Sequence, residues 1–254
     1  MQDDEWGVRA TRIPFLILRS SFCILRSMTL LRRILGRDRA GRMVRPWALF
    51  GPVVVLVIAL PLLRPLRHPD PGAVSDEELA RLATVQAMVE RGTLAIDDTD
   101  FAATRLKVRR AGRWYSDQPP VMSALLAPSY WAMSRAGIDF ATKPHVATYL
   151  LTVLGVTLPV ALSSGLIYRM GRVFELRRPW RATLGLVAVL ASGMVSYATV
   201  LNPHAPAAAL VLSAAACLIH VSLTNKRLHG SVWLSLAGLC AALAAAIDPP
   251  AVVF

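Results

Sequence analysis

The chain has 254 residues, of which 55% are apolar and 17% charged, and its mean hydropathy is +0.48. An ordinary soluble domain carries about 25% charged residues, so this composition excludes a chain that mostly faces water. The net charge of +12 raises nucleic acid as a partner, but the cations sit in short segments beside apolar runs and do not interleave with aromatics, which is the pattern of a membrane protein.

Residues 1–46 form an Arg-rich leader in which Arg12, Arg19, Arg26 and Arg33 recur every seven residues. As a helix this segment would present its arginines on nearly one face, like an interfacial basic helix. Arginine interrupts its apolar stretches and no small-residue cleavage site follows, so it does not read as a signal peptide. Met28 and Met43 are alternative starts that would make the leader non-native. The run 47–63 is expected to be the first span, and the ten arginines before it place the N-terminus in the cytoplasm.

Residues 64–144 then form a large extracytoplasmic loop holding ten of the sixteen acidic residues. Leu79, Leu82, Val85, Met88 and Val89 fall at helical spacing and predict an amphipathic helix from Asp76 to Arg91, its apolar face down on the membrane surface. Ser75 with Glu78 matches a capping box, and Gly92 stands where a helix stops. Arg105, Lys107, Arg109 and Arg110 read as a basic strand or loop. A second apolar helix is expected to begin after Pro119-Pro120 and run to Met133 or Arg135.

Four further spans are expected at 145–170, 182–201, 205–223 and 232–254. The flank Arg169, Arg172, Arg177, Arg178 and Arg181 and the turn Asn225-Lys226-Arg227 fall inside; Asn202-Pro203-His204 is a short turn outside. The predicted class is all-α and multi-pass, with roughly five transmembrane spans and one large outer loop carrying amphipathic surface helices. The apolar run at Phe254 reads as continuing in a longer protein. Cys23, Cys217 and Cys240 lack metal-ligand spacing. There is no HExxH, no phosphate-cradling glycine loop and no nucleophile triad signature.

Two stretches of the loop carry the candidate chemistry: Ser75-Asp76-Glu77-Glu78 with Arg81, and Gly112-Arg113-Trp114-Tyr115-Ser116-Asp117-Gln118-Pro119-Pro120. Together they resemble the first outer loop of the C-type glycosyltransferases. These membrane enzymes take sugar from a polyprenyl-phosphate carrier, and they include the aminoarabinose transferases of lipid A and the protein O-mannosyltransferases. The resemblance covers residues 47–254 and is most specific between 75 and 125. It implies an inverting sugar transferase of the cell inner membrane. The donor would be a lipid-linked sugar, and the acceptor a lipid, glycan or protein.

Counting from the Asp-Glu pair makes Asp76 the family's catalytic acid; counting back from Arg81 makes it Glu78. Asp76 is preferred, because Glu78 already has a role as the cap partner of Ser75. The resemblance further gives Asp117 an acid role, and Arg81, Arg113, Tyr115 and Gln118 contacts to substrate or phosphate. Gln118 stands where the family usually has Lys, which puts that cation's role in doubt. Transfer needs a base for the acceptor's proton and donors for the departing phosphate, which carboxylates and arginines supply. A divalent metal is compatible with this chemistry, although no clustered ligand set is visible. His204, in the outer turn, would face the same cavity. Asp248 is notable as a carboxylate at the end of a span. Glu77, Asp97, Asp98 and Asp100 read as solvated loop charges. The alternative is a non-catalytic transporter or assembly component, but the charge-poor spans and polar loop favour surface chemistry over a mid-membrane site.

Overall fold

The computed structural model describes residues 44–64, 74–223 and 227–253. Nearly all of the leader 1–46 lies outside them. The described chain is mostly helical: α1 (Val44–Ala59, extended by a 3-10 turn Leu60–Leu62), α2 (Asp76–Arg91), strands β1 (Lys107–Arg110) and β2 (Arg113–Ser116), then α3 (Pro120–Arg135). There follow α4 (Pro144–Met170), α5 (Arg178–Leu190), the single turn α6 (Met194–Tyr197), α7 (His204–Leu223) and α8 (Arg227–Ile247), closed by a 3-10 turn at Pro249–Val253.

Among the described residues, three helices are long and apolar enough to cross a membrane: Pro144–Met170, His204–Leu223 and Gly230–Ile247. The apolar helix Trp47–Leu62 is shorter. The run expected as a span over 182–201 is not one helix. α5 stops at Leu190, and Gly193 takes φ 76 before α6 begins. At 1.5 Å per residue, α5 is about 20 Å long, short of the roughly 30 Å hydrocarbon layer. The run expected over 232–254 also ends early, at Ile247, where Pro249 and Pro250 follow Asp248 and cannot extend the hydrogen-bond ladder.

Small residues let the helices of the bundle touch. A Cβ at Gly51 of α1 would lie 2.8 Å from Ser164 Oγ of α4, and one at Gly165 would lie 3.2 Å from Ala48 O. A Cβ at Gly185 of α5 would collide with the carbonyl oxygen of Ser164. These contacts align α1 and α5 antiparallel to α4, with backbones at the close approach that small residues allow in membranes. In the middle of α4 a π-turn spans Val153–Thr157. Gly155 leaves room there for Leu126 of α3, and Thr157 Oγ1 donates to Ala198 O at 2.8 Å, tying the irregular turn to the segment after α6.

α2 forms where its sequence dictates. The Ser75 hydroxyl accepts from Glu78 N at 3.4 Å, and Gly92 closes the helix at φ 64 in the left-handed region. Its apolar face does not rest on lipid as expected. Leu82 and Val85 are buried in one cluster with Met122, Leu126 and Tyr130 of α3 and with Val55, Leu151 and Val160 of the bundle. Each such side chain contributes about 1.5–3 kcal/mol, so α2 and α3 form a polar layer sharing one core with the membrane helices. Within this layer the chain also departs from all-α. β1 and β2 pair antiparallel, Lys107 opposite Ser116 and Arg110 opposite Arg113. Ala111 (φ 48) and Gly112 (φ 82) make the two-residue turn that suits strand twist.

Candidate functional site

The polar layer gathers the acids and arginines of the two sequence stretches, in two connected groups. The first centres on Glu78, which is 1% exposed. Its Oε2 accepts from Arg64 Nη1 at 3.0 Å, and its Oε1 accepts from the backbone N–H of Leu201 at 3.0 Å. Burial pushes the Glu78 carboxyl up from its ordinary value of 4.5, opposed by the Leu201 N–H, the Arg64 charge, the Ser75 backbone and Arg81. Glu78 thus joins α2, the end of α1 and the turn before α7.

The second group centres on Arg81, 2% exposed and one helical turn further along α2. Its Nη2 donates to Gln118 Oε1 at 2.8 Å; its Nη1 lies 3.5 Å from Glu77 Oε2 and donates to Glu77 O at 3.3 Å. Gln118 Nε2 in turn donates to Asp117 Oδ1 at 3.1 Å. Burial draws the Arg81 guanidinium below its usual range, while Glu77, Glu78 and Asp117 hold it up. An arginine in such company keeps its charge.

Asp76 and Asp117 flank one segment. Asp76 Oδ1 accepts from Arg105 N at 3.1 Å, the Asp76 carbonyl accepts from Thr104 Oγ1 at 2.8 Å, and Asp117 N donates to Leu106 O at 3.2 Å. Asp76 is half-exposed and Asp117 exposed. Of the three candidate catalytic acids, Asp76 and Asp117 are therefore water-accessible, and Glu78 is sealed.

Beside Gln118 lies a cavity of about 510 Å³ between α2, the hairpin and the start of α3, lined by Thr84, Arg110, Tyr115, Ser116, Gln118 and Pro120. Tyr115 enters it from β2, where its backbone pairs with Val108 and bridges Ala95. Arg113 sits exposed at the far tip of the hairpin, away from the lining. Arg110, opposite it in register, is the cation on the cavity wall. Three carboxylates already face Arg81, so a phosphate would have to displace Gln118 or Glu77 from it, or meet Arg110 first.

His204, the first residue of α7, has its Nδ1 2.7 Å from Asp248 Oδ2, just beyond the end of α8. The imidazole is 57% exposed and the carboxylate 13%. The structure thus joins two residues that the sequence offered only singly. Three pairings were not assigned from the sequence: Arg64 with Glu78, Glu77 with Arg81, and Glu90 with Tyr130, the Glu90 Oε1 accepting from Tyr130 Oη at 2.6 Å. Glu77 and Arg81 stand at i and i+4, a spacing that marks a pair on a helix. The acids read as solvated charges serve the layer: Asp97 accepts from Trp114 N, Asp98 pairs with Arg91, and Asp100 accepts from Gln86 Nε2. Among the described residues no three His, Cys, Asp or Glu side chains converge as a metal site.

Comparison with protein-family models, curated proteins and solved structures finds no match for this chain.

Proposed function

We propose that the chain is a C-type membrane glycosyltransferase that moves a sugar from a polyprenyl phosphate to an acceptor at the outer face of the inner membrane. In this reading the apolar runs make about five membrane passages, the shorter two being α1 and the α5–α6 segment, and the N-terminus is cytoplasmic. The polar layer of α2, the hairpin and α3 faces outward.

The observation that carries the reading is the chain from Arg81 through Gln118 to Asp117, a buried cation relayed to an exposed carboxylate beside a cavity. A transferase using a phosphate leaving group needs such a pairing of cation and base. Asp117 or Asp76 takes the proton of the acceptor hydroxyl or amine. The acceptor atom attacks the anomeric carbon, and the bond to the phosphate oxygen breaks with its electron pair leaving on the polyprenyl phosphate. Arg110 and Gln118 steady that phosphate, with Arg81 holding Gln118 from behind; Tyr115 shapes the cavity, and Arg113 and His204 serve the outer rim. Glu78 is a structural ion pair here, because a base sealed from solvent has no route to an acceptor.

The test is transfer from labelled polyprenyl-phosphate sugars in membranes containing the protein. Wild-type transfer that falls at least a hundredfold in Asp76→Asn or Asp117→Asn at equal protein level supports the reading, a loss in the usual range for a general base. Transfer that survives in both moves the base elsewhere. No transfer from any donor by a folded protein favours the transporter or assembly reading.

A further inference from the structure

At the end of the bundle away from the polar layer lies a second, larger cavity of about 650 Å³ between the start of α1, the end of α4 and the facing ends of α7 and α8. Its interior is apolar, with Leu166, Ala216, Cys217 and Leu236 among its walls, and its mouth carries Arg169 and Arg172. Neither arginine makes an ion pair with any described carboxylate, and the one acid of that segment, Glu175, meets neither. A cation at the mouth of an apolar cavity lacks a counter-charge there.

The surroundings locate this mouth at a membrane–water boundary. Trp47, Phe174 and Trp180 are exposed around it, at 40%, 70% and 64%. Trp233, on the cavity wall, packs against His220 with ring centroids 4.5 Å apart and the planes tilted by 47°. Exposed aromatics mixed with arginines mark the interfacial belt. A ligand here must offer an anion at headgroup depth and a hydrocarbon chain reaching inward between the helices.

We propose that this cavity holds an anionic phospholipid of the adjoining leaflet, its phosphate against Arg169 and Arg172 and one acyl chain along Leu166, Ala216 and Leu236. Basic pockets between membrane helices on the basic side of a bundle suit this class of ligand. The site is independent of the transferase reading and lies at the opposite end of the helices from it.

The experiment uses the full chain, purified in mild detergent, with thermal unfolding and native mass spectrometry as readouts. Phosphatidylglycerol, phosphatidylcholine and inorganic phosphate are added separately. Phosphatidylglycerol should raise Tm and remain bound; phosphatidylcholine and phosphate should do neither. Each arginine near an anionic lipid is worth roughly a fivefold change in affinity, so R169Q/R172Q should weaken retention about thirtyfold. R177Q/R178Q, which removes two neighbouring charges outside the cavity, should retain the lipid. Ala216→Leu, which narrows the apolar wall and leaves the arginines, should also weaken it. Equal response to phosphatidylcholine, an effect of phosphate alone, or equal loss in both double variants would overturn the proposal.

Discussion

Arg81 and Gln118, 37 residues apart, meet at 2.8 Å through Nη2 and Oε1. The glutamine stands where the resembled family has lysine, and a lysine there would set two cations side by side. Gln118 instead neutralises nothing, satisfies a buried donor and passes the contact on to Asp117. Gln118→Ala should lower stability by about 1.5–3 kcal/mol, since it strips a partner from a buried charged group. Gln118→Lys should lower it as well, and inorganic phosphate should restore part of that loss and none of the alanine loss. Thermal unfolding of the three proteins with and without phosphate decides this.

Glu78 gives a pH signature. Its carboxyl titrates near 4.5 when unfolded and higher when folded, because burial disfavours the charge. Between those two values the folded protein holds a proton that the unfolded chain has released. The associated stability is therefore full below 4.5 and is lost as pH rises through the raised value. Glu78→Gln keeps an acceptor for the Leu201 N–H and removes the titration. Wild-type Tm relative to this variant should fall as pH rises from 4.5; parallel curves would show that Glu78 does not titrate differently in the fold.

Tyr130 is fully buried, donates to Glu90 at 2.6 Å and accepts from Phe140 N at 3.2 Å. Burial and the Glu90 carboxylate push its hydroxyl well above the usual range, so it stays protonated as a donor. Tyr130→Phe should cost about 1–3 kcal/mol, because the Phe140 N–H loses its acceptor inside the core. Denaturant unfolding of the pair measures it.

Gly185 and Gly238 are both helical, but only the first meets a neighbour. Gly185→Ala drives a methyl group into the Ser164 carbonyl and should destabilise by about 1–3 kcal/mol, the usual range for overpacking. Gly238→Ala faces open space and should be neutral or stabilising by up to about 1 kcal/mol. Equal Tm changes in the two variants would argue against the close α4–α5 crossing.

The sequence made α2 legible because three local signals agree there: the Ser75 cap, the leucine–valine periodicity and the Gly92 stop. α3 was legible from the prolines at its start and from its apolar run. The break after Leu190 was not, because hydropathy averages over a glycine at positive φ that an apolar run conceals. The contacts of the candidate site were half visible. Asp76, Arg81, Asp117 and Gln118 stand in recognisable order, and an i, i+4 rule would have found Glu77. Arg64 with Glu78 and His204 with Asp248 are joined only by tertiary packing, over 14 and 44 residues, and no local pattern encodes such contacts. Glu78 had one sufficient local explanation as a cap partner, which hid its larger role.

The bond from the Leu201 N–H to Glu78 spans 123 residues. During synthesis the carboxylate emerges long before the amide that completes its setting, and Pro144–Met170 must be laid down between them. The Glu78 end of the α2 layer is therefore completed out of the order in which it is made. It has to wait, with an under-coordinated acid, until the chain has returned through the turn before α7. Assembly of the α2 layer becomes a checkpoint on bundle completion: a chain arrested before Leu201 would carry Glu78 without its backbone donor.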